Sequence, residues 1–313
     1  MPSSNDRKRL TVAVVGLGNI GAAAAGCLRV AERHDVTACV RQPLDHLTLE
    51  RSATTRRVDL RSLADPAQAE PSDWVLLCCK AQDTPSTAPW LARLCTPATR
   101  VAVLQNGIDH VVRVAPYAVG ATVMPTIVYY NGERLARDHV RLRRVGEYEL
   151  VAPDDAIGQA FAELLEGTGL NVLLSRDFAT LAWRKLLLNI VANPITALTL
   201  QRQSVLRRAD IHALCLEVMA EAITVARADG ASLTDEDAAG VMATLHSYSG
   251  ELGTSMYFDR LAGRKLEIDA LTGAVVAAGE RHGIATPLNL ALLTLLRAVS
   301  DAASAAPDHA DTR

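Results

Sequence analysis

The chain of 313 residues sets 32 Lys and Arg against 35 Asp and Glu, and 49% of its residues are hydrophobic. This length predicts about two domains, each able to bury a core, and the composition excludes a wholly disordered or collagen-like chain. A net charge of −3 supplies no global positive field, which argues against phosphate-backbone binding and makes nucleic acid a poor partner.

Cys27, Cys39, Cys78, Cys79, Cys95 and Cys215 form no CxxC and no metal-ligand spacing, so no metal is expected and they read as reduced core thiols. Charged residues 6–9, an apolar stretch and Ala24-Ala25-Gly26-Cys27 imitate a lipoprotein leader. Gly16, Gly18, Asn19 and Gly21 interrupt that stretch, however, and Ala24 stands where such sites favour Leu. No other stretch approaches the roughly 18 uninterrupted apolar residues of a membrane helix. A cytoplasmic protein without a membrane partner is expected.

In chain order, residues 10–15 predict a short β-branched strand, followed by Gly16-Leu17-Gly18-Asn19-Ile20-Gly21 and a helix over 22–33. Further strands are expected at 34–41, 74–79 and 101–104, with helical or polar segments between them, which implies a parallel sheet covered on both faces. Residues 121–130, 140–144 and 147–151 alternate more clearly, and their short connections suggest antiparallel pairing at a sheet edge. A helix over 154–166 and a strand over 170–174 close this half. From 177 to 303 the patterns are long and helical, with breaks at Gly230, Gly250, Gly263 and Gly283. The expected architecture is an α/β N-terminal Rossmann-type dinucleotide-binding domain over 1–176 and an all-helical C-terminal domain over 177–313. Residues 306–313 read as a polar, disordered tail.

The glycine triplet at 16, 18 and 21 follows a strand and opens a helix. In that context the first glycine makes the tight turn, the second admits a pyrophosphate against bare backbone, and the third packs helix on sheet. Free amides and the positive end of the helix dipole then hold the phosphates. At the end of the second strand an NAD site would place Asp or Glu, whereas this chain has Val40-Arg41-Gln42. Arg41 is either a solvated loop charge or the partner of a 2′-phosphate, and the missing carboxylate favours NADP. Lys80 and Asn106-Gly107 lie just past predicted strand ends, where open α/β sheets bind ligands.

In the helical half, Lys185, Asn189 and Asn193 recur at steps of four on an otherwise apolar helix, so they share one face. Periodicity alone leaves that stripe facing either water or a ligand and favours water, because unpaired buried amines are costly. Pro194 disfavours helical geometry at Asn193, which predicts a kink there. Glu267 reads as a carboxylate at a helix start, favoured by the dipole and commonly at the surface.

Taken together, the turn over 16–21, Cys79-Lys80-Ala81, Gln105-Asn106-Gly107, the helix with Lys185, Asn189 and Asn193-Pro194, Ser255-Met256 with Asp259, Gly263-Arg264 leading to Glu267-Ile268-Asp269, and His282-Gly283-Ile284 with Pro287 and Asn289 resemble the ketopantoate reductase (2-dehydropantoate 2-reductase) family over nearly the whole chain. The resemblance implies an active site in a cleft between a Rossmann domain and a helical domain. It implies Lys185 as general acid, Glu267 as acceptor for a substrate hydroxyl, and Asn189, Asn193 and Ser255 as substrate-positioning groups. It further implies Lys80 and Asn106 near the nicotinamide, with Asn106 also toward substrate, and Arg41 on the 2′-phosphate of NADPH. Gly16, Leu17, Gly18, Asn19, Ile20 and Gly21 would cradle the pyrophosphate.

The chain departs from the family's common pattern at Asn19 and at Ile108-Asp109-His110, the latter near the expected cleft. The activity implied is reduction of 2-dehydropantoate to pantoate. One alternative is another 2-oxo acid or imino acid handled by the same residues; a remote one is an NADPH-binding sensor without catalysis. Helical second domains of this kind often carry dimer contacts, so a homodimer is compatible with the chain.

Overall fold

The computed structural model describes residues 9–305. The tail expected over 306–313 lies outside the described residues, as does most of the charged start of the leader-like segment. The chain divides into two compact units, one ending at Phe178 and the next beginning at Ala179.

In the first unit, β1 (Thr11–Val15) leads through α1 (Asn19–Ala31) to β2 (Asp35–Cys39). A hairpin of β3 (His46–Arg51) and β4 (Thr54–Asp59) precedes the short β5 (Arg61–Leu63). Alternation resumes with β6 (Trp74–Leu77), α2 (Ala88–Leu94), β7 (Arg100–Val103), α3 (His110–Val114) and β8 (Thr122–Pro125). The unit then adds β9 (Ile127–Val128), β10 (Asn131–Ala136), β11 (His139–Arg143), β12 (Leu150–Pro153), α4 (Ala156–Leu164) and β13 (Val172–Ser175).

Six of these strands form one parallel sheet in the order β5-β2-β1-β6-β7-β8. Because side chains alternate along a strand, Val12, Val14, Val36 and Leu76 enter the core on one face. Ala13, Val15, Val75 and Leu77 enter the other, with Leu91 of α2 and Val114 of α3. Burial on both faces explains the continuous apolar runs that mark these strands in the sequence.

The expected antiparallel pairing forms only in part: β9, within 121–130, pairs antiparallel with β12, which overlaps 147–151, but in a separate sheet and not at an edge of the parallel one. β8 extends the main sheet in parallel, while β10 and β11 join the β3–β4 hairpin in a second sheet, order β10-β11-β3-β4. β12 pairs with β9 and β13 in a third. The segment over 121–130 is thus two strands in two sheets. The unpredicted hairpin presents Leu47 and Leu49 inward, whereas β4 is an exposed, Arg-bearing edge with little apolar signal. Its second sheet packs on α1, which is why α1 is buried through Ala22–Ala23–Ala24–Ala25 and not along a single stripe.

The second unit is helical: α5 (Phe178–Thr199), α6 (Ala209–Ala228), α7 (Glu236–Ser247), α8 (Ser255–Leu261), α9 (Thr272–His282) and α10 (Pro287–Ala305). α6, α9 and α10 pack on one another. Glu221 of α6 closes the start of α10, accepting from the backbone amides of Leu288 (2.9 Å) and Asn289 (3.0 Å) and from Asn289 Nδ2 (2.8 Å). Asp229, just past α6, accepts from Trp183 Nε1 of α5 (3.1 Å) and pairs with His282 of α9 (3.0 Å). α5 runs on as helix through Asn193 and Pro194. Burial of Ile190, Val191 and Ile195 holds the helix despite the donor that proline removes. No helix among the described residues is long and apolar enough to cross a membrane.

Candidate active site

At the end of β1 the backbone turns at Gly16 with φ 93°, and a Cβ there would lie 2.9 Å from the Cys79 amide nitrogen. A Cβ at Gly21 would collide with the Gly16 carbonyl oxygen and come within 2.8 Å of Cys78 Cβ. Only glycine lets α1 start this close to the strand ends. Gly18 is the N-cap of α1 without a side-chain cap bond, no heavy atom lies within 4 Å of its Cβ position, and the first turn carries no acidic residue. Open space, uncapped amides and the positive end of the helix coincide, which fits a pyrophosphate. Behind the turn, the Tyr130 hydroxyl donates to the Ile20 carbonyl oxygen at 2.9 Å and Gly132 lies against the Asn19 backbone. Leu17 packs against the core.

Arg41 follows β2 in an exposed bend and makes no hydrogen bond or ion pair with another described residue. Lys80 is the half-buried residue ahead of the 3₁₀ turn Ala81–Thr87, and half-buried Asn106 occupies the turn after β7. β6 and β7 are adjacent parallel strands, so both residues stand at the same sheet edge as Gly16. Buried Gln105 links their loops: its Nε2 donates to Thr84 Oγ1 at 3.0 Å and to Cys79 Sγ at 3.2 Å.

In the helical unit, α5 carries half-buried Lys185 and Asn189 and buried Asn193 along one face, so the stripe does not point into open solvent. Burial pushes the Lys185 ammonium down to about 8, and the Glu267 carboxylate acts in the opposite sense, favouring the charged form. Glu267 is not at a helix start. It lies in the segment ahead of α9 and is only 5% exposed, which overturns its reading as a dipole-favoured surface carboxylate. Just ahead of Glu267 that segment is pinned by the Leu266 amide on Ser300 Oγ of α10 (3.1 Å) and by the Arg264–Asp259 pair (2.9 Å). Ser255 is exposed at the first turn of α8, whose N-cap Thr254 bonds Thr196 of α5 at 2.7 Å. Thr196 and Thr254 are the residues that sequence reasoning missed. Thr196 lies three residues past Asn193 and prolongs the stripe, a signal that was available.

One unit therefore offers a dinucleotide turn, and the other offers an enclosed amine under the influence of a buried carboxylate, on a helix face that also carries two amides. Such an amine can deliver a proton to an oxygen that gains charge, and the carboxylate can accept from a hydroxyl. Among the described residues no group of three or more His, Cys, Asp or Glu could hold a metal ion.

Residues 12–154 match the model of the family described as ketopantoate reductase PanE/ApbA, and residues 177–300 match that family's C-terminal model. The chain belongs to the ketopantoate reductase family. The 2-dehydropantoate 2-reductase of Mycobacterium tuberculosis is 38% identical over 93% of this chain and 98% of its own length. A PanE/ApbA family ketopantoate reductase from Ralstonia eutropha JMP134 is 29% identical, with a TM-score of 0.84 over 94% of this chain and 99% of that one. A D-mandelate dehydrogenase solved with NADH and anilino(oxo)acetate shares the fold at 21% identity, with a TM-score of 0.83 over 94% of this chain and 99% of that one. As a member of the ketopantoate reductase family the chain is an oxidoreductase with a nicotinamide dinucleotide cofactor, and the turn over 16–21 is built to fit that group's pyrophosphate.

Proposed function

We propose that this protein reduces 2-dehydropantoate to pantoate with NADPH, a step toward pantothenate and coenzyme A, in the cytoplasm. The observation that carries the reading is the enclosed Lys185 amine, lowered to about 8 by burial and kept chargeable by buried Glu267. A donor in that range is matched to proton transfer near neutral pH.

A reduced nicotinamide dinucleotide held by the turn over 16–21 with Arg41, Lys80 and Asn106 would supply a hydride to the carbonyl carbon. Lys185 Nζ delivers a proton to the carbonyl oxygen as negative charge develops there, so the carbonyl becomes a hydroxyl and the amine is left neutral. Glu267 accepts a hydrogen bond from the substrate's own hydroxyl. Asn189, Asn193 and Ser255 hold the carboxylate and hydroxyl groups, with Asn106. Arg41, exposed after β2 with no competing carboxylate next to it, takes the 2′-phosphate, and Lys80 and Asn106 face the nicotinamide half.

The test is NADPH consumption by purified protein with 2-dehydropantoate, beside the analogue lacking the hydroxyl. A kcat/KM of about 10⁴ M⁻¹s⁻¹ or more, lost with the analogue, is the expected result. Binding of NADPH without turnover would reject the substrate and retain the cofactor. A second reading keeps the chemistry and changes the 2-oxo acid. It has support because the same fold carries a D-mandelate dehydrogenase and because Ile108-Asp109-His110 departs from the family's common continuation. A panel of oxo acids in the same assay separates the two.

A further inference from the structure

The departure at 108–110 has a structural counterpart. Arg113 on α3 directs Nε (3.3 Å) and Nη2 (3.2 Å) to Gln105 Oε1, and Nη2 also donates to the Asn106 carbonyl oxygen at 3.0 Å. Its Nη1 pairs with Asp109, the N-cap residue of α3. The Arg113 side chain is only 14% exposed, so these charge-assisted bonds are poorly screened.

A guanidinium has donors and no acceptor. Arg113 therefore obliges the Gln105 amide to present its oxygen toward α3, where the Thr84 hydroxyl also reaches it at 3.4 Å, and its NH₂ group toward Cys79, beside Lys80, with Thr84 Oγ1 at 3.0 Å. Without the cation the amide is free to turn over: the Thr84 hydroxyl can serve either end of it, and the donation to Cys79 loses its direction. The two loops that carry Lys80 and Asn106 are thus tied together through one amide whose orientation a single cation sets. Asp109, within the segment 108–110 that departs from the family's common continuation, pairs with that cation.

We propose that Arg113 is a positioning residue for the nicotinamide half of the dinucleotide: by orienting Gln105 and holding the Asn106 carbonyl it sets Lys80 and Asn106 in register. The adenosine half is left to the turn over 16–21 and Arg41. This inference rests on the NADPH assignment above.

The experiment compares wild type, Arg113→Gln and Arg113→Lys by calorimetric titration with NADPH and with adenosine 2′,5′-bisphosphate, which has the adenosine half and no nicotinamide. Arg113→Gln weakens NADPH about tenfold and leaves the bisphosphate within about twofold. Arg113→Lys keeps the charge without the planar fork and recovers part of the loss; it carries the same comparison if the Gln variant does not fold. Equal losses on both ligands, or none on either, overturn the positioning role. Wild-type protein that binds neither ligand overturns the NADPH reading itself, and the role of Arg113 with it.

Discussion

Lys185 shows how one side chain is made useful by where it is put. Burial alone would drive an amine toward neutrality, and the nearby Glu267 charge restrains that drift at about 8. If Lys185 is the proton donor, Lys185→Ala lowers kcat by roughly 10²–10⁴-fold and leaves NADPH affinity nearly intact. Unchanged turnover removes it from that role. The sign of the pH dependence follows from the donor having to enter charged. Reduction is level below the Lys185 pKa and falls as pH rises through about 8. Glu267→Gln removes the charge that holds the pKa up, so the break in the kcat/KM profile moves to lower pH. A break that stays in place detaches Glu267 from the titration. The step-of-four spacing of Lys185, Asn189 and Asn193 was legible in the sequence because helical periodicity is local. The burial of Glu267 was not, because the segment ahead of it is held by contacts with residues of other elements, Ser300 on α10 and Asp259 on α8.

Among the elements, α10 depends on a carboxylate from another helix. Three donors at its start, two of them backbone amides, converge on Glu221. Glu221→Ala leaves them without that acceptor, and a cost of about 1–3 kcal/mol is expected, read as a lower urea midpoint with unchanged slope. A midpoint within error of wild type shows that water replaces the carboxylate. Pro287 and Asn289, which carry part of the family resemblance, thereby have a structural part: proline opens α10, and the Asn289 side chain donates to Glu221 and to the Val218 carbonyl oxygen. The β3–β4 hairpin marks the limit of element prediction here. Leu47 and Leu49 alternate as an inward strand face should, but β4 is stabilised by cross-strand pairing with almost no apolar pattern of its own.

For the whole molecule, cofactor choice is best measured as stability. NADPH at about a hundred times its Kd adds about 2.7 kcal/mol to the unit that binds it, which appears as a raised unfolding midpoint. NADH at the same concentration raises it less. If Arg41 holds the 2′-phosphate, Arg41→Ala abolishes that difference, since charge-assisted bonds are worth about 1.5–3 kcal/mol each. An Arg41→Ala protein that still distinguishes the two cofactors holds the 2′-phosphate elsewhere.

The sequence by itself determined the strand, glycine turn and helix at the N-terminus, the change to helices after the first half, and the register of the polar stripe on α5. Each is set by neighbours within a few residues: backbone freedom at Gly16 and Gly21, alternation along β1, and the 3.6-residue turn. Only the tertiary structure decided that α1 is covered by a second sheet, that Glu267 is enclosed, that Thr196 meets Thr254, and that Arg113 orients Gln105. Those features depend on contacts between residues far apart in the chain or on the shape of a turn, and neither leaves a periodic trace in the sequence.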